Sequence, residues 1–510
     1  MNLAENLERS VFVFSDRPAV QEKGGEITYG ELDRRANRVA TSLIAMGIRP
    51  GDHIGLCAPN SGNWIAFYFG VLKAGAVAVT LSWALAPNEL ALLLGHARPR
   101  MIFADAGKLG VLQNLRDSVG LEKIICPGGD LEMGNLLAGG SDTFRALDRD
   151  RLDTAAILYT GGTTGVPKGV MLSHQGISFS AWIVAYYERS NQLDRAICYL
   201  PFNHVFGQIH IMNATILAGG CLELLPSFDL DRVLELMEAG RITKFFAVPT
   251  VYVRLLGVPD LEKRLGKLRY SFSAAASMPM EIVKQWKERT GITIAESLGM
   301  TEVMPFTYNH YHQHRVGSVG QVMHQVEVQI RDFSGQKVPD GEKGEICVRG
   351  PNVMNGYLNN PEATAEAFWE GGWLRTGDIG LFDQDRYLYI VDRLKDLVIT
   401  GGENVYPREV EEVLYTRPEV EECAVIGLAD QKWGERVTAV LKLKPGLSLS
   451  RPDMEAFLKA SLAGFKVPKE YIVVDELPKS PTGKILKKEL RKQFTGAGAS
   501  GPGPAGKREG

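Results

Sequence analysis

The sequence predicts an α/β protein built from a large, layered N-terminal α/β domain and a small C-terminal α+β domain. The chain has 510 residues, whereas a single hydrophobic core stops growing at roughly 250 to 300 residues. Short strand-like runs alternate with helical segments through most of the chain. Around Ile390 this alternation gives way to a charge-rich and turn-rich segment, which indicates a second domain.

Helical and strand-like segments can be placed in order along the large domain. Residues 32–44 (LDRRANRVATSLI) carry apolar side chains at helical spacing, and GDHIGLCAPN then supplies a turn and a short strand. Strand-like runs recur as TAAILYT, RAICYLP, ITKFFAVPT, LRYSFSAA and ITIAESLG. Helical segments such as LDRVLELMEAG and MEIVKQWKERTG separate them, and Gly291 closes the second of these. Regular alternation of this kind is typical of a layered α/β fold.

The order of elements after Ile390 predicts the second domain. The charge-rich segment is followed by a helix, two strands, a helix, a strand and a final basic helix. We expect the large domain over residues 1–391, a short connection over 392–396 and the small domain over 397–494. Residues 495–510 are rich in Gly, Pro and Ala without apolar periodicity, so a disordered tail is expected.

Composition excludes several classes of function. The 57 basic and 60 acidic residues give a formal net charge of -3, which provides no global field for nucleic acid or an anionic membrane. The six cysteines form no CxxC pair and lie in apolar runs, as expected for buried free thiols in a reducing compartment. The N-terminus does not resemble a signal peptide, and Lys73 and Gly75 interrupt the apolar stretch from Trp64 to Trp83, which predicts a helix and then a strand. We expect a cytoplasmic protein with no integral membrane segment; a homodimer is left open.

The segment YTGGTTGVPKG, from Tyr159 to Gly169, combines the residue types that bind phosphate. Glycines let the backbone approach oxyanions closely, hydroxyl and N–H groups donate hydrogen bonds, and a lysine adds a positive charge. The spacing differs from that of a Walker A loop, because Pro167 precedes the lysine. On composition alone, a purely structural glycine turn remains an alternative. The candidate phosphate-binding residues are Thr160, Gly161, Gly162, Thr163, Thr164, Gly165 and Lys168.

A second segment, ESLGMTE, follows from Glu296 to Glu302. The glycine-rich segment resembles the phosphate loop of the adenylate-forming superfamily, and ESLGMTE resembles the adenine and magnesium motif of the same superfamily. This superfamily comprises acyl- and aryl-CoA synthetases, peptide-synthetase adenylation domains and beetle-type luciferases. The family's usual serine after Thr160 is Gly161 here, and Leu298 stands where an aromatic residue is common. The resemblance implies that Thr301 meets the α-phosphate and that Glu302 helps to hold Mg²⁺, a cation that uses few protein carboxylates alongside substrate phosphates. It assigns further nucleotide contacts to Ala275, Ala276, Glu296, Ser297, Leu298, Gly299 and Met300.

Four later segments extend the resemblance in the family's order: WLRTGD, DRLKD, GGEN and PKSPTGK. They imply that Asp378 binds the ribose hydroxyls, which suits a carboxylate with two acceptor oxygens. By composition alone, the charged residues of these segments are as readily solvated surface groups. The resemblance gives the remaining roles to Arg393 (ribose), Lys395 (hinge within 392–396), Gly401, Gly402 and Glu403 (coenzyme A channel) and Lys484 (substrate carboxylate and α-phosphate).

The acyl pocket is less clearly marked. The segment YLPFNHVFG, from Tyr199 to Gly207, resembles the family motif that borders the acyl site. Each apolar candidate could equally be ordinary core. Because no charged residue occurs among the candidates, we expect an acid with a neutral, apolar tail rather than a dicarboxylate or an amino acid. The candidate residues are His204, Phe245, Val248, Ala274 and Met304.

Together the motifs imply an ATP-dependent acyl-CoA synthetase that converts a carboxylic acid, ATP and coenzyme A into acyl-CoA, AMP and pyrophosphate through an acyl-adenylate. The implied catalytic residues are Lys168, Thr301, Glu302 and Lys484, and a small mobile domain is expected to exchange Lys484 for the Gly401 turn between the two half-reactions. A fatty acid is the preferred substrate class. Alternatives are an aryl-acid CoA ligase, a carrier-protein-loading enzyme and, from another class, a non-catalytic nucleotide-binding regulator. The last is disfavoured because Lys484, Asp378 and Glu302 are all present.

Overall fold

The computed structural model describes residues 1–160, 167–276, 278–479 and 485–495. Some of the predicted features lie outside these ranges. They are Gly161, Gly162, Thr163, Thr164 and Gly165 of the phosphate loop, Lys484, and all but the first residue of the predicted tail.

Many helices begin at a residue whose side chain caps the first turn. Thr28, Ser61, Ser173 and Asp229 each accept a backbone hydrogen bond in this way, which satisfies one of the free N–H groups of the first turn. The predicted stop at Gly291 is observed, with a left-handed φ of 75°. The α-helices are α1 Glu5–Phe14, α2 Tyr29–Ala45, α3 Gly62–Lys73, α4 Pro87–Ala97, α5 Leu109–Val119, α6 Met133–Gly139, α7 His174–Tyr187, α8 Ala214–Leu217, α9 Leu230–Glu238, α10 Pro249–Leu256, α11 Met280–Thr290, α12 Pro361–Glu366, α13 Pro407–Tyr415, α14 Arg451–Ser461 and α15 Lys487–Thr495. A π-helix over Phe206–Asn213 precedes α8.

Most strands of the large domain are short. The strands are β1 Pro18–Glu22, β2 Gly25–Thr28, β3 His53–Cys57, β4 Val77–Thr80, β5 Met101–Ala104, β6 Lys123–Ile125, β7 Thr154–Thr160, β8 Lys168–Ser173, β9 Arg195–Cys198, β10 Cys221–Leu224, β11 Lys244–Ala247, β12 Tyr270–Ser273, β13 Ile294–Glu296, β14 Thr307–Tyr308, β15 Gln321–Val322, β16 Glu327–Arg331, β17 Gly344–Arg349, β18 Gly356–Tyr357, β19 Phe368–Trp369, β20 Trp373–Phe382, β21 Leu388–Arg393, β22 Val398–Thr400, β23 Glu403–Val405, β24 Val420–Asp430, β25 Gly434–Leu443 and β26 Glu470–Val473. Eight strands of the large domain are buried at every position: β4, β5, β10, β11, β12, β13, β14 and β18.

Two seven-stranded sheets form the body of the large domain. The first has the order β13-β12-β11-β9-β10-β1-β2 and the second the order β18-β8-β7-β4-β3-β5-β6. Most neighbours are parallel, with antiparallel pairs at β1/β2, β7/β8 and β8/β18. Parallel sheets of this kind carry ligands at the carboxyl ends of their strands. The region from Trp64 to Trp83 contains α3 and then β4, which confirms the prediction of a helix followed by a strand.

The chain then enters an antiparallel sheet and ends in a separate small sheet. The antiparallel sheet has the order β16-β17-β20-β19, with β21 beside β20. After it come the hairpin β22–β23 and then α13, β24, β25, α14, β26 and α15. Apart from the added hairpin, this is the order of elements predicted beyond Ile390. The large α/β and smaller α+β parts confirm the predicted fold class.

Burial supports two parts with their own cores. The main core cluster runs from Leu3 to Leu388, whereas a separate cluster runs from Val398 to Val467. All six cysteines are free and buried, as predicted. Within the described ranges, no helix has the length and apolar character needed to cross a membrane.

Candidate active site

A pocket opens at the carboxyl ends of two parallel strands, β12 and β13. Ser273 and Glu296, the last residues of these strands, are register partners. The chain leaving β12 contributes Ala274–Ala276, and the chain leaving β13 contributes Ser297–Gly299, to the pocket wall. These are the segments that the sequence assigns to the nucleotide, so the fold brings them together at the edge where parallel sheets bind ligands.

Ala275 adopts a left-handed backbone conformation in this wall, with φ of 70°. A residue with a Cβ is disfavoured there, and such outliers concentrate at binding and catalytic sites. The strained residue and its neighbours Ala274 and Ala276 all line the pocket.

Glu296 presents an unpartnered carboxyl oxygen at the same pocket. The side chain is buried, and its Oε2 atom has no hydrogen-bond partner among the described residues. His314 is close, with Nε2 at 3.7 Å from Oε2. Burial raises the pKa of Glu296, because the charged form is poorly solvated. A buried, unsatisfied oxygen facing a pocket is well suited to accept a hydrogen bond from a bound base.

Asp378 and Arg393, which also line the pocket, form an ion pair. They are register partners on β20 and β21, and the guanidinium Nε atom lies 2.9 Å from Oδ1 of the aspartate. The adjacent carboxylate of Asp378 raises the pKa of Arg393. Two segments that the sequence assigns separately to the ribose are therefore paired strands, and the arginine fixes the carboxylate in place.

Glu302 and Lys168 lie near each other at the end of the phosphate loop. Thr160 and Lys168 are the register partners that close this loop on β7 and β8. Thr301 and Glu302 occupy the tip of a tight turn closed by hydrogen bonds between Met300 and Val303. Glu302 is buried, and this burial raises its pKa.

The donor set around Glu302 fits a Mg²⁺ ion that is held mainly by its nucleotide. No cluster of three or more His, Cys, Asp or Glu side chains that could hold a metal occurs in the described part of the chain. A single buried carboxylate near Lys168, the predicted phosphate-binding lysine, agrees with the preference of Mg²⁺ for one or two carboxylates combined with substrate phosphates.

The small domain forms the remaining wall. Ile485 and Lys487, which follow Lys484 in the chain, line the pocket together with residues of α13 and β24. Lys487 lies 2.7 Å from Glu411; burial alone lowers its pKa, but Glu411 and Asp392 outweigh this effect and raise it. Ile485 and Lys487 thus place the beginning of α15 beside the nucleotide pocket.

The predicted coenzyme A turn lies elsewhere in this arrangement. Gly401, Gly402 and Glu403 are exposed at the end of the β22–β23 hairpin, outside the pocket wall. Lys395 lies in a short 3₁₀ turn, Leu394–Asp396, between β21 and β22, which is a connection between the two parts of the chain. The hinge role of Lys395 and the thiol role of the turn stay predictions.

The predicted acyl residues are partly assembled. Ala274 lines the nucleotide pocket. Among the described residues, the pocket wall does not include the other four candidates, His204, Phe245, Val248 and Met304. His204 precedes the π-helix, and its Nδ1 atom accepts a hydrogen bond from Phe206 N at 3.2 Å. A π-helix is rare and frequently marks a functional site. Phe245, Val248 and Met304 are buried.

Several residues of the site were missed by sequence reasoning. Tyr357 contacts both Glu302 and Lys168, while Arg408, Glu411 and Lys487 line the small-domain wall. Tyr357 belongs to a two-residue strand in a segment with no phosphate-binding composition. The others lie on α13 and α15, where charged residues at helical spacing are typical of an ordinary solvated face.

The architecture and the pocket define a two-domain protein that binds a nucleotide at the edge of a parallel sheet and closes the site with its C-terminal part. Comparison with known proteins gives the family. The model of the AMP-binding enzyme family matches residues 7–358, and the model of the AMP-binding enzyme C-terminal domain matches residues 409–484. The chain belongs to the AMP-binding enzyme family.

Individual relatives agree with this assignment over nearly their whole length. A feruloyl-CoA synthase from Amycolatopsis sp is 37% identical, covering 93% of this chain and 96% of the relative. A long-chain-fatty-acid–CoA ligase from Bacillus subtilis is 33% identical over 94% of this chain and 92% of its own. The solved structure of the anthranilate CoA ligase AuaEII in complex with anthranoyl-AMP superimposes with a TM-score of 0.93, with 30% identity over 98% of both chains. These findings confirm the predicted superfamily and the class of AMP-forming acid–thiol ligase, with ATP, Mg²⁺ and coenzyme A as cofactor and co-substrates.

Proposed function

We propose that this protein activates a hydrophobic monocarboxylic acid as its acyl-adenylate and transfers the acyl group to coenzyme A. The observation that carries the proposal is the single pocket wall that unites Ala275, Glu296, Asp378 and Arg393 with Ile485 of the small domain. A site for an adenine nucleotide that is closed by a second domain is what an adenylation step needs. The relatives named as CoA ligases support the choice of thiol.

In the first half-reaction, the carboxylate attacks the α-phosphorus of ATP and pyrophosphate leaves. Both reactants are anionic, so the chain must neutralise charge and align them. We assign Lys168 to the phosphates, Asp378 to the ribose and Lys484 to the reacting oxygens. Mg²⁺, held by Glu302, would neutralise phosphate charge when bound. No side-chain nucleophile is required.

In the second half-reaction, the thiolate of coenzyme A attacks the acyl-adenylate and AMP leaves. We propose that the small domain rotates about the 392–396 connection, so that the segment with Lys484 withdraws and the Gly401 turn approaches. Ile485 and Lys487 of the small domain line the nucleotide pocket. This contact supports the assignment of the present domain arrangement to the adenylation step.

The candidate acyl residues support an apolar substrate, and one observation favours the aryl alternative over a long fatty chain. Phe245 is fully buried between Tyr199, at 6.5 Å between ring centroids, and Tyr252, at 5.7 Å. The side chain of Phe245 on β11 is thus packed among other bulky aromatic rings. We infer that this region suits a compact, flat acid, in line with the relative that is named feruloyl-CoA synthase.

A panel of acids tests the proposal. The purified protein is incubated with ATP, Mg²⁺ and coenzyme A, together with a hydroxycinnamic acid, benzoate, hexanoate, palmitate, succinate or phenylalanine. We expect AMP and pyrophosphate as products, with a hydrophobic monocarboxylic acid giving the highest kcat/KM. ADP and inorganic phosphate without AMP would exclude adenylation, and a large preference for succinate or phenylalanine would exclude the proposed substrate class.

We propose coenzyme A as the natural acyl acceptor. An assay in which a phosphopantetheine-loaded carrier protein replaces coenzyme A distinguishes a CoA ligase from a carrier-loading enzyme. We place the enzyme in the cytoplasm, where ATP and coenzyme A are supplied, and light scattering of the pure protein decides whether two copies associate.

A further inference from the structure

Tyr357 is fixed beside the phosphate loop by its backbone. It belongs to β18, which pairs with β8 directly after Lys168, with Tyr357 opposite Val170. Its N–H group donates to Oγ1 of Thr364 at 2.9 Å, and the next residue, Leu358, donates to the carbonyl of Gly169 at 2.7 Å. The position of the phenol ring is therefore set by the strand that carries the phosphate-binding lysine.

The phenol contacts two functional side chains at once. Its hydroxyl donates to Oε1 of Glu302 at 2.9 Å, and its ring lies under the Lys168 ammonium group, with Nζ 4.7 Å from the centroid. Tyr357 and Glu302 are 8% and 6% exposed, so water does not compete with these contacts. A further backbone hydrogen bond, from Met354 N to Glu302 O at 2.8 Å, ties the same segment to the glutamate.

The contacts of Tyr357 affect how the Glu302 carboxylate and the Lys168 ammonium group can bind ligands. Oε1 of Glu302 accepts a hydrogen bond from the phenol, which leaves Oε2 to face a metal. A hydrogen-bonded outer residue of this kind orients a metal ligand. The ring attracts the ammonium group of Lys168 without carrying a neutralising charge. Lys168 and Glu302 are near enough to interact, and a direct ion pair between them would withdraw both from the nucleotide.

We propose that Tyr357 is a positioning residue that aims Glu302 at Mg²⁺ and holds Lys168 free for the phosphates. This inference rests on the proposed function only in that it takes Mg·ATP as the ligand. Tyr357→Phe removes the hydroxyl and keeps the ring, and Tyr357→Leu removes both. The two contacts can therefore be tested separately.

Calorimetry of ATP binding at a series of Mg²⁺ concentrations tests the proposal without turnover. Loss of an outer-shell partner typically weakens a metal site by about 10- to 100-fold. We expect Tyr357→Phe to raise the Mg²⁺ concentration needed for half-maximal ATP binding by that factor, while ATP affinity in EDTA stays at the wild-type value. Tyr357→Leu should in addition weaken ATP binding in EDTA. In a Glu302→Gln background, the effect of Tyr357→Phe should disappear.

Tyr387 supplies a matched control. Its hydroxyl donates to Gln313 O at 2.7 Å, and its ring lies 4.1 Å from the guanidinium of Arg315, so Tyr387→Phe removes an equivalent hydrogen bond elsewhere. A Mg²⁺ response of Tyr357→Phe equal to that of wild type or of Tyr387→Phe overturns the proposal. Should Tyr357→Phe not fold, 3-fluorotyrosine at position 357 is used, and a ¹⁹F signal that moves with ATP alone as much as with Mg·ATP overturns it equally. Failure of the proposed function would appear separately, as wild-type protein that binds Mg·ATP but forms no AMP with any acid.

Discussion

A side chain added at Gly402 should separate the two half-reactions. Gly402 lies in the β22–β23 turn with φ of 84°, and a Cβ atom built there meets no heavy atom within 4 Å. The turn lies outside the nucleotide pocket, whereas Ile485 lines it. The present domain arrangement therefore has room for a larger residue, and we expect Gly402→Asn to leave adenylation at the wild-type rate. Thioester formation should slow, because the turn is proposed to approach coenzyme A only after the small domain rotates.

The magnitude follows from the local geometry. Most residues pay about 1–2 kcal/mol to adopt a left-handed backbone, but Asn does so routinely, so the fold should lose little stability. In the second orientation, a side chain that displaces the thiol by about 1 Å would cost on the order of 10²-fold in rate. The expected signature is a loss approaching that factor in thioester formation with no loss in adenylation.

Gly372→Asn is the matched control. Gly372 has φ of 76°, also has no heavy atom within 4 Å of a built Cβ, and lies in an exposed turn of the large domain. Adenylation is measured as pyrophosphate release with hydroxylamine as acyl acceptor, and thioester formation is measured from pre-made acyl-adenylate and coenzyme A. Equal loss of both steps in Gly402→Asn, or the same loss in Gly372→Asn, would refute the reasoning.

Three further outcomes are expected. Lys484→Ala should slow adenylation by about 10²- to 10³-fold and leave thioester formation from pre-made acyl-adenylate near wild type; parallel loss in both assays would remove its catalytic assignment. Lys244→Met should destabilise the protein by about 3–5 kcal/mol, because buried Glu188, 2.7 Å from Lys244, loses its lysine counter-charge while keeping its contacts with His210 and Tyr270. Thermal unfolding should show that adding Glu188→Gln to Lys244→Met recovers part of this loss, and additive destabilisation would contradict the prediction. Burial raises the pKa of Asp392 to about 6 from an ordinary value of about 4, which corresponds to about 3 kcal/mol. Between these two pKa values the native state holds a proton that the unfolded state has lost, so the wild-type protein loses stability as the pH rises through this range. Asp392→Asn lacks this titration, and its melting temperature minus that of wild type should therefore increase from pH 4 to 7. A difference that does not change with pH would refute the raised pKa.

The sequence indicated candidate nucleotide residues where these lie in compact motifs, and the structure brings several of them into one pocket wall. Ala275 follows a strand-like run and Glu296 ends the next one, and residues at the carboxyl ends of neighbouring parallel strands meet at one edge of a sheet. Asp378 instead lies within β20, where antiparallel pairing with β21 places it opposite Arg393. The order of elements beyond Ile390 was predictable for a similar reason, because apolar periodicity distinguishes helix from strand within a short window.

Contacts between distant segments were not predictable in this way. The hydroxyl of Tyr357 reaches Glu302 across 55 positions of the chain, and Lys244 reaches Glu188 across 56. Lys244 begins β11, a strand buried at every position, where a lone lysine gives no local sign of its partner. Only the sheet order that places β11 beside β12, and both against the end of α7, brings these charges together.

The distribution of ion pairs bears on the proposed rotation of the small domain. Within the large domain, Glu188 and Lys244 are almost fully buried, and breaking such a pair is costly. Between the two parts of the chain, Lys343 pairs with Glu409 at 3.0 Å, but the two side chains are 41% and 26% exposed. Exposed pairs of this kind contribute about 0–1 kcal/mol and weaken with salt. If the Lys343–Glu409 pair opens on rotation, as we propose, its loss costs little, whereas Lys487 and Glu411 travel together on the small domain and keep their contact. Higher salt should therefore favour release of the adenylation arrangement without loosening either domain.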